Sequence, residues 1–404
     1  MKNHVEKRVL LIDTTANFSG GLVYVIEILP RLVALLPGWR IIAFGPRPSN
    51  CALAADHPDV TWITSNPGIL SKGFVVRGIL KLLWRQFILP YYALRLKADA
   101  VFSTANFSSF AFDLLNIPVV IALHNLVPFH SPDWYKDSTF GMHCRTRLLR
   151  AVTLGACRSK ATFIVFSKYA RFLLAKCGVH ESRTHLAYHG APTWDTPWTG
   201  ADSMRALLVS NYFPYKRMKI VLEAWQKALP ALPKGSHLLI QGVVGDTKYF
   251  NECRQVAQNL GISGSVEFGR GVPLEQLRTL YQTSRCLLFP AIGENCPITL
   301  LEAMRVGIPI IGTTADPVPE ICGPAAVYAG DRNSDACASL IVRLFTEPTV
   351  ARTLSELGRE RSLSFSWDVA AERTAKHIMQ VCETSYEQDS TKALARKRVA
   401  KNIP

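Results

Sequence analysis

Glu294 and Glu302, with seven residues between them, lie in the segment Gly293-Glu294-Asn295-Cys296-Pro297-Ile298-Thr299-Leu300-Leu301-Glu302-Ala303-Met304. Upstream, Arg285-Cys286-Leu287-Leu288-Phe289-Pro290 is an apolar run that reads as a buried strand of a parallel sheet. Glu294 then falls in the strand-to-helix loop. Asn295 or Cys296 caps the next helix, and Pro297 suits its first turn, because proline there forfeits only an N–H that has no helical partner. Gly307 stops that helix before the strand Ile308-Pro309-Ile310-Ile311. One carboxylate is therefore expected in the crevice at the carboxyl end of a strand, beside free helix N–H groups, and a second one or two turns into the helix. Open α/β sheets bind ligands in that crevice, and a helix N-terminus attracts phosphate. Two carboxylates can accept hydroxyl protons from sugars on either side of such a phosphate.

Other segments supply complementary chemistry. Lys216 and Arg217 end the run Leu208-Val209-Ser210-Asn211-Tyr212-Phe213-Pro214-Tyr215-Lys216-Arg217. Two cations there could neutralise a diphosphate leaving group, where fixed positive charge helps most; a solvated basic loop fits the spacing equally. Gly20 and Gly21 close Asn17-Phe18-Ser19-Gly20-Gly21, between the first strand and first helix, where small residues let backbone N–H groups approach a phosphate or simply make a tight turn. His124 follows the buried run Val120-Ile121-Ala122-Leu123. Arg270 sits in a loop, Phe268-Gly269-Arg270-Gly271, that could hold a nucleobase or phosphate. Arg77, Lys81 and Arg85 are spaced by four in a stretch rich in Leu, Ile, Phe and Trp, which puts them on one helical face suited either to anionic lipid or to water.

The positioning elements follow from periodicity. Strands are expected at Arg8–Ile12, Arg40–Phe44, Val60–Ile63, Ala100–Ser103, Pro118–Ala122 and Thr162–Phe166, then at Ala206–Ser210, His237–Gln241, Ser265–Phe268, Cys286–Phe289 and Pro309–Gly312. Helical patterns alternate with them, including Gly21–Leu36, Phe74–Leu96, Cys144–Arg158, Met218–Leu229 and Pro297–Val306. This alternation in both halves of a 404-residue chain argues for two doubly wound parallel sheets. Gly190 to Gly200, rich in proline and glycine, reads as the linker. The expected units are residues 1–194, 195–370 and a tail, 371–404.

The net charge of +15 is unevenly spread. Residues 1–194 hold 22 Lys+Arg against 10 Asp+Glu, and residues 195–404 hold 24 against 21. A one-sided positive field favours an anionic partner. No run of 18 apolar residues suggests a membrane span, and the N-terminus lacks a signal-peptide layout. Ten cysteines without a Cys-x-x-Cys pair indicate neither zinc nor a disulfide framework, and a reducing cytoplasm is the simplest compartment.

The two glutamates, the flanking Pro290-x-x-Gly293-Glu294, Leu301-Glu302-Ala303-Met304 and Gly307-x-Pro309-Ile310-Ile311-Gly312-Thr313 together resemble the signature of retaining glycosyltransferases of the GT-B fold, family 4. The likeness departs where the family often has Gly-Phe-Gly; Asn295-Cys296-Pro297 stand there. It implies a nucleotide-diphosphate sugar donor held by the second half, with Glu294 on the transferred sugar, Glu302 on the ribose, and the helix start Asn295, Cys296, Pro297 and Ile298 against the donor. Lys216 matches the family lysine. Asn211 stands where an arginine is usual, so Arg217 substitutes or the diphosphate has one cation fewer. The resemblance also carries over Gly20, Gly21 and a His124 near the transferred sugar, with Asn125 departing from a family Asp. It implies metal-independent transfer with retention to a saccharide or lipid-linked saccharide acceptor in lipopolysaccharide or other surface-glycan synthesis, on the inner face of the cytoplasmic membrane, with no cofactor. The competing readings are a sugar-nucleotide epimerase or hydrolase on the same fold, and a non-catalytic anion binder. No motif supports nucleic acid.

Overall fold

The computed structural model describes residues 7–15, 20–48, 50–53, 57–64, 80, 82–130 and 140–401. Among the described residues, short runs rich in Val, Ile, Leu and Phe form thirteen strands, and the inner ones, such as Ala100–Ser103, Val119–Ala122, Cys286–Phe289 and Ile310–Thr313, are buried on both faces, as helix-covered parallel sheets require. The first sheet contains β1 (Arg8–Asp13), β2 (Trp39–Phe44), β3 (Val60–Ile63), β4 (Ala100–Ser103), β5 (Val119–Ala122), β6 (Thr162–Val165) and β7 (Thr184–Leu186), in the order β3-β2-β1-β4-β5-β6-β7. The second contains β8 (Arg205–Val209), β9 (His237–Gln241), β10 (Val266–Phe268), β11 (Cys286–Phe289), β12 (Ile310–Thr313) and β13 (Ala326–Ala329), in the order β10-β9-β8-β11-β12-β13. Every pairing is parallel; Leu10 lies opposite both Ile41 and Ala100, and Ala206 opposite both Leu238 and Cys286. In each sheet the first strand sits centrally, so the strand order reverses beside it. The crevices open at the carboxyl ends of β1 and β4 in one sheet and of β8 and β11 in the other.

The covering helices are amphipathic. The helix Met218–Ala228 buries Met218, Val221, Leu222, Ala224, Trp225 and Ala228, a spacing of three and four that lays one stripe on the second sheet. Each large side chain so buried contributes roughly 1.5–3 kcal/mol. Helix Ile298–Val306 ends at Gly307, whose φ of 89° is the left-handed conformation that glycine adopts without a Cβ penalty. The last helix, Trp367–Lys401, runs back across the first sheet: Ala371, Ala375 and Ile378 are buried, Arg31 bonds Asp368 at 2.6 Å, and the Tyr386 hydroxyl donates to Asp99 at 2.6 Å. Gly190 lets this crossing happen, because a Cβ there would lie 2.3 Å from the Trp367 nitrogen. One hydrophobic cluster runs from Tyr24 and Phe166 through Trp367 to Phe289, Cys296 and Leu300, so the two sheets share a core behind the cleft.

Most strand expectations hold to within a residue or so. The sequence reading lacks β7, β13 and the helices Ala111–Leu115, Val318–Cys322 and Pro348–Ser362. The expected helix Phe74–Leu96 falls partly outside the described residues; the described part contains a π-helical turn, Trp84–Ile88, followed by the helix Leu89–Arg95. No described helix is long and apolar enough to cross a membrane.

Candidate active site

A cavity of about 360 Å³ lies between the carboxyl edges of the two sheets. Gly20, Gly21, His124 and His189 line it from the first half; Asn211, Lys216, Glu294, Asn295, Cys296, Pro297 and Ile298 line it from the second. The start of helix Gly20–Leu35 meets the start of helix Ile298–Val306: a Cβ on Gly20 would sit 3.6 Å from Ile298 Cδ1. Both helix starts therefore border one cavity, a place suited to an anion.

The Lys216 ammonium donates a short hydrogen bond to a Glu294 carboxylate oxygen, with both side chains about 15% exposed at the cavity wall. Burial works against the ammonium, but Glu294, Tyr215 and the hydrogen bond outweigh it, and its pKa is raised. Among the described residues, Lys216 is the one cationic side chain lining this cavity. Arg217 does not join it. Its φ of 51° turns the chain sharply, and its guanidinium pairs with Asp331. The expectation that Arg217 supplies a second cation beside Lys216 is thus corrected. Asn211 stays at the wall, its Oδ1 accepting from the Val243 N–H at 3.1 Å.

Three further residues singled out from the sequence stand outside this cavity, and for Arg85 the expected exposed row is corrected. Glu302 does not line the cavity; it is buried, accepts from the Tyr281 hydroxyl at 2.9 Å, and burial pushes its pKa up to about 7. Arg270 is exposed over the Phe250 ring, outside the cavity. Arg85 is no part of an exposed lipid-facing row: it is buried, with Nε 2.6 Å from Asp13 Oδ2 and Nη2 donating to Thr15 Oγ1 at 2.7 Å. Asp13, fully buried at the end of β1, draws the guanidinium inward. Arg77 and Lys81 lie outside the described residues.

Asn295 lines the cavity, but its amide is already engaged. Its Oδ1 accepts from the Ser167 hydroxyl at 2.8 Å, and its Nδ2 donates to the Leu123 carbonyl. His124 is held from behind by Asn106, whose Oδ1 accepts from the backbone N–H of His124 (3.1 Å) and Asn125 (2.9 Å). Its ring packs against Tyr24, Phe166 and His189, and its Nε2 has no protein partner. Burial, with a smaller contribution from His189, pushes its pKa well below the ordinary value, so the ring is neutral at pH 7. His189, beside the linker, also borders the cavity: its Nδ1 lies 2.9 Å from the Cys296 carbonyl, its Nε2 is unpartnered, and burial lowers its pKa to about 4. Only the topology brings it there, since nothing adjacent to it in sequence marks it. A second cavity, of about 290 Å³, adjoins the first at Gly21, His124 and Asn125; Arg85, Phe107, Arg145 and Leu149 border it within the first half.

Two parallel sheets of matching strand order, with a ligand-sized cavity between their carboxyl edges, make this a GT-B fold of the α/β class. Solved structures agree across nearly the whole chain. Sucrose-phosphate synthase from Thermosynechococcus elongatus superposes with a TM-score of 0.73 at 16% identity, covering 94% of this chain and 100% of that one. Anabaena HepE in complex with UDP and glucose gives 0.67 at 16% identity, covering 92% and 99%. At such identities these likenesses establish the fold. Residues 200–361 match the family model of glycosyl transferases group 1. The chain is 25% identical over 173 residues to the O-antigen chain mannosyltransferase B of Escherichia coli, a stretch covering 42% of this chain and 44% of that protein. It spans less than half the length of the curated relatives it matches.

Proposed function

We propose that this protein is a retaining, metal-independent glycosyltransferase that moves a sugar from a nucleotide-diphosphate sugar to a saccharide or lipid-linked saccharide acceptor in surface-glycan synthesis. The observation that carries the reading is the Lys216–Glu294 pair facing two converging helix N-termini in one cavity. The diphosphate lies against the N–H groups at Gly20–Gly21 and at Ile298–Thr299, and Lys216 neutralises the charge that grows on it as the glycosidic bond breaks. Glu294, released from part of its bond to Lys216, accepts hydroxyl protons of the transferred sugar. The acceptor occupies the second cavity and reaches the anomeric carbon past His124. Its oxygen forms the new bond on the face the diphosphate leaves, and its proton passes to the departing phosphate oxygen. Neutral His124 offers an unpartnered Nε2 to a sugar hydroxyl without adding charge.

A membrane contact draws its support from an exposed stripe among the described residues. Leu83, Phe87, Tyr91 and Leu94 are exposed at spacings of four, four and three, and Arg95 and Lys97 are exposed at the end of the stripe. An apolar stripe with cations beside it suits the interface of an anionic bilayer, and supports a peripheral place on the cytoplasmic membrane's inner face.

Thermal shift with UDP, GDP, ADP and CMP sugars tests the donor. A ligand at about 100 times its dissociation constant adds about 2.7 kcal/mol of stability. One base class should shift the protein, with and without EDTA, and Glu294→Gln should weaken the sugar's contribution but not that of the free nucleotide. No shift with any nucleotide overturns the reading.

A further inference from the structure

Glu294 and His124 come from opposite halves of the chain, and their separation fixes where a sugar can sit between them. One side chain spans the gap. Asn295 follows Glu294 directly, and its Nδ2 donates to the carbonyl of Leu123, the residue directly before His124. Its Oδ1 accepts from Ser167 Oγ at 2.8 Å, and the same Ser167 oxygen caps helix Lys168–Lys176 by accepting from the Ala170 N–H at 3.0 Å. Asn295 is 4% exposed, so both bonds are shielded from water.

We propose that Asn295 is a positioning residue that sets the register of Glu294 against His124 across the cleft, rather than a ligand of the donor. An amide is suited to this task because it must donate on one side and accept on the other; neither a carboxylate nor an aliphatic chain does both. Other contacts join the halves nearby. Glu320 accepts from the backbone N–H of Lys168 (2.6 Å) and Tyr169 (3.2 Å) and from the Tyr188 hydroxyl (2.7 Å), and His189 meets the Cys296 carbonyl. These hold the halves together, but Asn295 alone among them is bonded to the residue next to His124 while being itself next to Glu294. Sub-ångström play at this point is transmitted to both groups at once, and a misplacement of about 1 Å at a reacting centre costs about a hundred-fold in rate.

The kinetic arm rests on the transferase reading; the conformational arm does not. Dyes introduced by unnatural amino acids at Lys176 and Glu275, both exposed and one on each half, report the spacing of the halves by single-molecule energy transfer. In Asn295→Ala the transfer distribution should broaden toward lower efficiency, kcat should fall about a hundred-fold, and the donor dissociation constant should change by less than about threefold. Asn295→Asp preserves the volume and the Ser167 bond but loses the bond to Leu123; it should reproduce the kcat loss, and it carries the same readouts if the alanine variant does not fold. A donor dissociation constant that rises in step with the kcat loss, at an unchanged distribution, would make Asn295 a donor ligand and overturn the inference. So would unaltered kcat and distribution. If the native protein binds no nucleotide sugar, the transferase reading fails, and the dye distribution alone decides the role of Asn295.

Discussion

Two ion pairs border the cleft, one from each half, and they are built for opposite ends. Arg85–Asp13 is sealed: the two side chains are 6% and 0% exposed. Asp13 also accepts from the Thr15 N–H at 3.0 Å and the Thr15 hydroxyl at 2.6 Å, and Arg85 donates to that same hydroxyl. In such a network the carboxylate is held by three donors at once, so the pair does not open without stranding a buried charge. Lys216–Glu294 is a single contact at a cavity wall, about 15% exposed on both sides. Its members can trade each other for a phosphate and a hydroxyl. A pair's accessory bonds, more than its charges, separate a structural pair from one that can open.

The largest expected effect attacks the sealed pair. Arg85→Leu leaves the buried Asp13 carboxylate uncompensated and should cost about 3–5 kcal/mol of unfolding free energy in denaturant titration. Lys216→Ala should do the reverse, leaving the melting temperature nearly unchanged while kcat drops about 10²–10³-fold. Equal stability losses in the two variants would erase the distinction.

Titration offers the next test. His189 has a folded pKa of about 4. The unfolded ring takes up a proton below about 6.5 while the folded one does not, so stability is intact above 6.5 and falls as the pH drops towards 4, by up to about 3 kcal/mol. Glu302 works in the other direction. Its folded pKa near 7 exceeds that of the unfolded carboxyl, so stability falls as pH rises from about 4.5 to 7. The two slopes oppose each other between about 4.5 and 6.5. Glu302→Gln removes one of them and should give a steeper acid loss than the native protein in melts across that range.

The smallest effect falls at the seam. Ser167→Ala removes a helix cap worth about 1 kcal/mol, together with one of the two Asn295 bonds. It should lower kcat less than Asn295→Ala does, measured at saturating donor.

How much of this was legible in sequence varies by element. β11 and the body and end of the helix Ile298–Val306 could be read closely, because an apolar run and Gly307 each impose a local constraint; its start could not, since Pro297 takes the N-cap position expected of Asn295 or Cys296, with no side-chain cap bond. β7 and β13 could not: Thr184-His185-Leu186 and Ala326–Ala329 are too short to carry a pattern and are fixed by pairing with β6 and β12. The cation row 77, 81, 85 assumed an unbroken 3.6-residue period, and the π turn Trp84–Ile88 interrupts it while Asp13 claims Arg85. Adjacent Lys216 and Arg217 looked equivalent, yet the positive φ between turn and helix sends them to different partners. Asn295 was read for its helix-capping propensity, and Glu302 for its distance from Glu294. Local propensity cannot see that the first reaches into the other half of the molecule, or that the second finds Tyr281.

The meeting of the two helix starts at Gly20 and Ile298 has one more consequence. Each helix start presents the equivalent of about half a positive charge, so two like poles border one cavity. Like poles repel one another, and an anion placed between them, as in the proposed donor complex, is attracted to both. On the proposed function, the same charge that draws the halves onto the diphosphate is missing once the nucleotide leaves, so product release takes away a force that favours their contact.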